Sequence, residues 1–333
     1  MDPGAPVLVA GGGGFIGGHL VATLRSRGFE RIRAVDVKPA EEWYQRFGDI
    51  ENLELDLSGI DACRRAVAGV AEVFNLAADM GGMGFIESHK ADCMLSVLIN
   101  THLLLAARDA GVGRYLFASS ACVYNGERQS SPDVTALREE DAYPALPEDG
   151  YGWEKLFGER MCRHFHEDYG LEVRVPRLHN VYGPHGTYDG GREKAPAAIC
   201  RKVVEAELSG SGAIEIWGDG LQTRSFTYVD DTVEGLLRLM ESDVREPLNL
   251  GSSQLITINR LVDIVEAIAE VRLERSHVLD APLGVRGRNS DNTRIVSLLG
   301  WEPSIPIEEG LVPTYAWIRA EMVRSGRYAP VTG

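Results

Sequence analysis

Residues 7–28 read VLVAGGGGFIGGHLVATLRSRG. Four apolar residues, Val7 to Ala10, have the length and composition of a buried strand. A run of glycines follows, and then a helical pattern through Ile16, Leu20 and Leu24. Gly11, Gly14 and Gly17 are spaced G-x-x-G-x-x-G. Gly11 permits a tight turn, Gly14 lets the backbone approach a pyrophosphate, and Gly17 lets helix and sheet pack closely, with the helix N-terminus facing the anion. A bare glycine motif says little. This one follows a strand, opens a helix, and is followed at the end of a second strand, IRAVDVK (32–38), by Asp36, where a ribose carboxylate belongs. Asp36 would accept hydrogen bonds from ribose hydroxyls and repel a 2′-phosphate, which favours NAD over NADP, although Lys38 stands nearby.

The alternation continues outward from that stretch. EVFNLAA (72–78) reads as a strand, NTHLLLAARDAGV (100–112) as a helix closed by Gly111, RYLFASS (114–120) as a strand, and LEVRVPRLHNVYGP (171–184) as a strand ending in a turn. Strands alternating with helices predict an α/β fold: a Rossmann doubly wound parallel sheet, with a smaller C-terminal substrate-binding domain. Ligands of such sheets bind beyond the carboxyl ends of the strands. The glycine cluster, AADMGGMGFI (77–86), SSACVY (119–124) and RLHNVYGP (177–184) each follow a strand, so they are expected to meet on one edge. The three glycines and two methionines of residues 80–84 then read as a wall of a ligand site: glycine lets the backbone approach a ligand closely, and methionine offers an adaptable apolar surface.

Composition limits the partners. The 333 residues carry 34 Lys and Arg against 49 Asp and Glu, a formal charge of −15, with 44% hydrophobic residues. That balance argues against nucleic-acid binding but not against a small anion held by local arginines. The five cysteines, Cys63, Cys93, Cys122, Cys162 and Cys200, are odd in number and contain no C-x-x-C pair, so neither a disulfide framework nor a metal site is suggested. A reducing cytoplasm is the expected compartment. No apolar run reaches the ~20 residues of a membrane span, so no membrane partner is expected.

YGWEK (151–155) places Tyr151 and Lys155 at i and i+4 on one helix face. An ammonium beside a phenol stabilises the phenolate, and the positive ring of NAD adds to this, so Tyr151 can act as a base near neutral pH. Ser120, at the end of its strand, would hold the substrate oxygen. An exposed Tyr/Lys pair is ordinary on any helix; beside the dinucleotide motif it gains weight.

These features together resemble the extended short-chain dehydrogenase/reductase family, over roughly residues 7–320. The resemblance implies bound NAD and a second domain that closes over a nucleotide sugar. The implied division is 1–178 and 225–251 for the NAD domain, 179–224 and 252–322 for the sugar-nucleotide domain, and 323–333 as a tail. AADMGGMGFI, ASSACVY (118–124), GGREKAPAAICRK (190–202), WGDGLQTRSFTYVDD (217–231) and GVRGRNSDN (284–292) are more narrowly similar to the GDP-mannose 3,5-epimerase family. That resemblance implies an NAD-dependent isomerase turning GDP-mannose into GDP-L-galactose, GDP-L-gulose or both through a 4-keto sugar. It implies Cys122 and Lys194 as the groups that exchange protons at carbons 3 and 5, and Tyr151, Lys155 and Ser120 as the redox set. It implies substrate contacts at Gly81, Ser120, Cys122, Asn180, Glu193, Lys194, Ala195, Lys202, Gln222, Thr223, Arg224 and Arg288, and cofactor contacts at Gly11, Gly14, Phe15, Ile16, Gly17, Asp36, Asp56, Tyr151 and Lys155. A homodimer is also implied. After Tyr124 the chain departs from the plant pattern, in which proline follows, so a relative acting on another sugar stays open.

The chemistry asks for such a set. A carbon-bound sugar proton is too weak an acid for any side chain until the neighbouring hydroxyl is a ketone. With a ketone at carbon 4, carbons 3 and 5 become acidic. Inversion then needs one group to remove a proton and another to deliver one to the opposite face. A cysteine and a lysine suit this if their pKa values are drawn toward neutrality. A plain 4-epimerase needs no such pair, and a non-catalytic NAD-binding protein needs none of these groups. Each residue also has an ordinary reading: Cys122 as core filler, Lys194 as a solvated loop lysine, Arg224 and Arg288 as surface ion pairs, His179 as a core histidine.

Overall fold

The computed structural model describes residues 1–281 and 283–326. Six strands form a parallel sheet: β1 (Val7–Ala10), β2 (Ile32–Asp36), β3 (Glu51–Glu54), β4 (Glu72–Asn75), β5 (Arg114–Phe117) and β6 (Glu172–Arg174), in the order β3-β2-β1-β4-β5-β6. The reversal of strand order beside β1 opens a crevice at its carboxyl end. In register, Ala10 stands beside Val35 on one side and Asn75 on the other, and Asn75 stands beside Phe117. The glycine cluster, the 77–86 loop and the 119–124 turn therefore leave the sheet side by side, as the sequence predicts.

The strands are apolar on both faces because both faces are covered. Val7 and Val9 pack with Leu20 and Leu24 of helix α1 (Phe15–Ser26). Leu8 and Ala10 point the other way, to Leu103 and Leu104 of helix α2 (Val97–Ala110) and Phe165 of helix α3 (Tyr151–Tyr169). Gly111 ends α2 at φ +68°, a left-handed cap that glycine adopts without strain. The strand β3 is not in the sequence expectation. Its segment, ENLE, is a partly exposed edge with no apolar alternation to mark it.

The long 171–184 stretch is three short strands, not one: β6, Pro176–Leu178 and Val181–Tyr182. The break moves the chain out of the main sheet. Pro176–Leu178 pairs with Ser119–Ser120 and with Leu248–Leu250, while Val181–Tyr182 pairs with Thr227–Tyr228. The C-terminal part is built on helix α4 (Ala195–Ser209), the helices Ile258–Ala269 and Ile307–Arg324, and two small sheets. In one of these, Thr223–Ser225 lies between Leu255–Thr257 and Gly287–Arg288. The apolar cluster on the α1 face of the sheet continues through Ile199, Val203 and Leu261 into this part, so the two regions share a core.

Candidate active site

The cradle for a dinucleotide is set by backbone contacts that leave no room for side chains. Gly11 has φ +82°, and a Cβ on Gly17 would lie 2.0 Å from the Gly11 carbonyl oxygen. Helix α1 has no side-chain cap and no acidic residue in its first turn, so its N–H groups and positive dipole end are free for an anion. The ring of Phe15 turns away, edge-on to His19 at 5.6 Å, which leaves the Phe15 and Ile16 backbone to face the cradle. Asp36 is buried at the end of β2, and its Oδ1 accepts from the Lys38 amide at 3.1 Å. Asp56 is exposed just beyond β3 and accepts from the Ser58 amide at 2.9 Å. These residues fit NAD: free amides for the pyrophosphate and a carboxylate for the ribose. Trp43, which the sequence analysis does not single out, lies against Gly13, where a Cβ would be 2.4 Å from the ring, and closes the loop from outside.

Beside the cradle, Tyr151 opens α3 and Lys155 follows one turn on, with its Nζ 5.5 Å from the phenol ring centroid and 4.8 Å over Phe117. Ser120 caps a short 3₁₀ turn (Ala121–Val123) by accepting from the Cys122 amide at 3.2 Å, and its hydroxyl lies near enough to the Tyr151 phenol to favour the phenolate. Ser119 faces the other way and donates to Glu159, whose carboxylate is held twice by Arg177 at 2.8 Å, so it is structural. The expected acidification of Tyr151 is absent from the free protein. Burial pushes the phenol well above its ordinary pKa, and Cys122 and Glu154 add to this. Glu154, buried and 3.4 Å from the Lys155 ammonium, offsets the cation that was expected to act on the phenol.

Cys122 and Lys194 come from segments 72 residues apart and meet in one enclosed cluster with Glu148, Arg224 and Arg288. Lys194 is the N-cap residue of α4. It keeps part of its surface open although neighbours surround it, as a residue lining a deep cleft does. Burial lowers its ammonium pKa, the direction the chemistry asks for. Cys122 moves the other way: burial, and then Glu148, push the thiol up to about 11. The expectation of a neutral-range cysteine is therefore corrected, since desolvation and a carboxylate outweigh the Arg288 guanidinium. Sequence reading missed Glu148. Its only sequence signal is an acid three residues before Tyr151.

Arg288 is expected among the substrate-contacting cations. Three of its five N–H groups are engaged within the protein: Nε donates to Gln129 at 2.6 Å, Nη1 to the Cys122 sulfur at 3.6 Å, and Nη2 to Glu148. It sits at the reacting end, beside the cysteine. Arg224, its strand neighbour, donates among the described residues to the carbonyls of Thr223, Leu283 and Val285, and burial, then Arg288, lower its pKa to about 10. Gln222 leaves a buried Oε1 unpartnered, and Asn180 stands at φ +39° with its amide on the Ser225 carbonyl.

Three further candidates are engaged within the protein. Glu193 pairs with Arg201 at 3.2 Å, Lys202 donates to the Glu215 carbonyl at 2.9 Å, and Thr223 donates to the Pro132 carbonyl at 2.6 Å. Ala195 packs against the core at the start of α4.

The 77–86 loop also packs against the segment that carries Lys194. Gly82 donates to the Arg192 carbonyl at 2.9 Å, and a Cβ there would be 2.3 Å from the Glu193 carbonyl oxygen. Glycine at 82 is thus required by the segment leading into Lys194. Gly81 lies tight against Phe85, and residues Met83–Ser88 are helical. Met80 does line the site, packed against a cluster that contains Cys122 and Tyr151.

A phenol and an ammonium one helical turn apart, opening beside a dinucleotide cradle at the switch point of the sheet, define a short-chain dehydrogenase/reductase. The chain belongs to the NAD dependent epimerase/dehydratase family, whose pattern matches residues 7–251, and it is an enzyme of that NAD-dependent group. It is 47% identical over 317 residues to GDP-mannose 3,5-epimerase 1 of Oryza sativa subsp. japonica, covering 95% of this chain and 82% of the relative. Among solved structures it is similar to UDP-glucose 4-epimerase with UDP-glucose from Thermotoga maritima, with a TM-score of 0.85 at 27% identity over 95% of this chain and 99% of that one. It is similar also to MoeE5 in complex with UDP-glucuronic acid and NAD, with a TM-score of 0.79 at 30% identity over 95% of this chain and all of that one.

Proposed function

We propose that this chain is a GDP-mannose 3,5-epimerase, forming GDP-L-galactose, GDP-L-gulose or both by way of a 4-keto sugar. The observation that carries this reading beyond the family is the meeting of Cys122 and Lys194 in one enclosed cluster at the Tyr151 end of the cleft. The 47% identity to the rice 3,5-epimerase supports it. Bound NAD supplies the reversible two-electron oxidation at carbon 4. Ser120 holds the carbon-4 oxygen. Tyr151 takes its proton and later returns it, with Lys155 held one turn away. Cys122 and Lys194 exchange protons at carbons 3 and 5. Burial and Glu148 favour the thiol form of Cys122, and burial eases loss of the Lys194 proton. Arg224, half-buried and with no carboxylate ion pair among the described residues, suits the diphosphate.

The test runs the reaction with GDP-mannose in deuterated water. Wild type should place deuterium on carbon 3, carbon 5 or both. Cys122→Ser and Lys194→Met should lower that incorporation by about 10²–10⁴-fold while still binding the sugar nucleotide. A wild type that inverts a sugar carbon without carbon-bound deuterium, and is indifferent to both substitutions, is a plain 4-epimerase, and the reading fails.

The enzyme is a cytoplasmic homodimer in this reading. All five cysteines are free and buried, which suits a reducing compartment. Residues 90–110 are long and apolar enough to cross a membrane by length and composition. They are broken at Ser96 and pack against α3. Met94, Leu95 and Leu98 there, with Trp153 and Phe157 on α3, form an exposed apolar face that a second copy would cover.

A further inference from the structure

Glu148 is nine-tenths buried, and only one of its two carboxylate oxygens is used. Oε1 accepts from Arg288, and the backbone amide of Glu148 donates to the Cys122 carbonyl at 3.0 Å, which fixes the residue against the cysteine. Oε2 is buried and has no hydrogen-bond partner. A carboxylate oxygen left so is costly unless a donor comes to it. Across the same cluster stands Lys194, for which no ion pair is found among the described residues, although Glu148 and Lys194 both face Cys122.

We propose that Glu148 is a substrate-contacting residue: its free oxygen Oε2 accepts a hydrogen bond from a hydroxyl of the sugar, and this contact makes the site select a neutral hexose over the corresponding uronic acid. The inference rests on the proposed function above for the identity of the nucleotide. An ionised carboxylate is an acceptor only, so it needs a donor on the ligand and is repelled by a second carboxylate. Glu148 also keeps the thiol beside it protonated, so the hydroxyl it holds lies next to the group that exchanges protons.

The experiment compares GDP-mannose with GDP-mannuronic acid by calorimetric titration of the NAD-loaded wild type, Glu148→Gln and Glu148→Asp. Glutamine keeps an oxygen for Arg288 and puts an NH₂ where Oε2 stood. Wild type should prefer GDP-mannose, and in Glu148→Gln that preference should shrink at least tenfold, through weaker binding of GDP-mannose and tighter binding of the uronate. Aspartate keeps the charge but withdraws the oxygen by one carbon. It should weaken GDP-mannose about as much as glutamine does without improving the uronate, which separates contact from general charge. Melting temperature and NAD content report folding, and if the glutamine variant fails to fold, the aspartate arm decides. An unchanged ratio in Glu148→Gln, or wild-type affinity for GDP-mannose in Glu148→Asp, overturns the assignment of Glu148 alone. A wild type that neither binds nor turns over GDP-mannose removes the proposed function and this inference together.

Discussion

Replacing Gly82 by alanine should damage catalysis from a position that carries no chemistry. The added Cβ would sit 2.3 Å from the Glu193 carbonyl oxygen. A normal carbon–oxygen contact needs about 1 Å more, and the atom in the way is backbone, not the end of a flexible side chain. The Gly82 amide also donates to the Arg192 carbonyl at 2.9 Å, and this bond is lost if the two segments separate. Overpacking of this kind costs about 1–3 kcal/mol, and the hydrogen bond adds about 1 kcal/mol. The cheaper response is for the 192–194 segment to move, because it is a half-exposed loop, whereas residues Met83–Ser88 are anchored through buried Phe85 and Ile86. Lys194 is the next residue along and would be carried with it. A displacement near 1 Å of a proton-transfer group costs about 10²-fold in rate. The assay is deuterium incorporation from solvent under saturating sugar nucleotide, with bound NAD and melting temperature measured alongside. Turnover should fall by about two orders of magnitude while NAD content holds, since the glycine cradle is untouched. Gly48→Ala is the control, as a Cβ at Gly48 meets nothing within 4 Å. If Gly82→Ala stays within threefold of wild type, the loop does not position Lys194 and the argument is wrong.

Tyr151→Phe should abolish turnover, by about 10³-fold or more, and leave sugar-nucleotide affinity nearly intact, because the phenol oxygen is the proposed base and ketone formation precedes every later step; near-normal rate in this variant would remove Tyr151 from its role. His179 should make the fold acid-sensitive. Burial holds its imidazole neutral and lowers its pKa from 6.5 to about 3, so between those values the unfolded chain binds a proton that the native protein refuses. Stability from this group is full above pH 6.5 and is lost as pH falls toward 3, by about 4–5 kcal/mol in all. Urea midpoints of His179→Gln should fall less steeply over that window than those of wild type, and an equal slope would show that His179 is not the group responsible.

The parts of this protein legible in its sequence are those governed by neighbours along the chain. The turn at Gly11, the helix at Phe15, the acid at Asp36 and the Tyr151/Lys155 face follow from spacing alone, and each stands where spacing puts it. Resemblance adds Cys122 and Lys194, and the fold brings them together. What was hidden depends on contacts between distant residues. Glu148 and Arg288 are 140 positions apart, so nothing local marks Arg288 as already paired. Glu154 looks like any surface acid on α3 until the fold buries it beside Lys155. The direction of the Cys122 and Tyr151 shifts was hidden for the same reason. Both are set first by burial, which a motif does not reveal. The glycines of 77–86 could be recognised as space for something, but only the fold shows that at Gly82 the something is the Glu193 backbone.

The charge of the chain and the charge of the site point in opposite directions, and the difference explains what it can bind. A net charge of −15 repels anions at a distance, so a polyanion gains no long-range attraction here. Within the cleft the balance reverses. Arg288 has Glu148 and Lys155 has Glu154, so these two cations are compensated. Arg224 has three carbonyls and no carboxylate, and Lys194 has no ion pair among the described residues. Both have lowered pKa values because burial disfavours their charged forms. An anion entering the cleft stabilises those charged forms, and the free energy is recovered only at close range, where the guanidinium can meet two oxygens at once. A ligand with a compact diphosphate meets both conditions. A duplex backbone, with its charges spread along a surface it cannot bring into the cleft, meets neither.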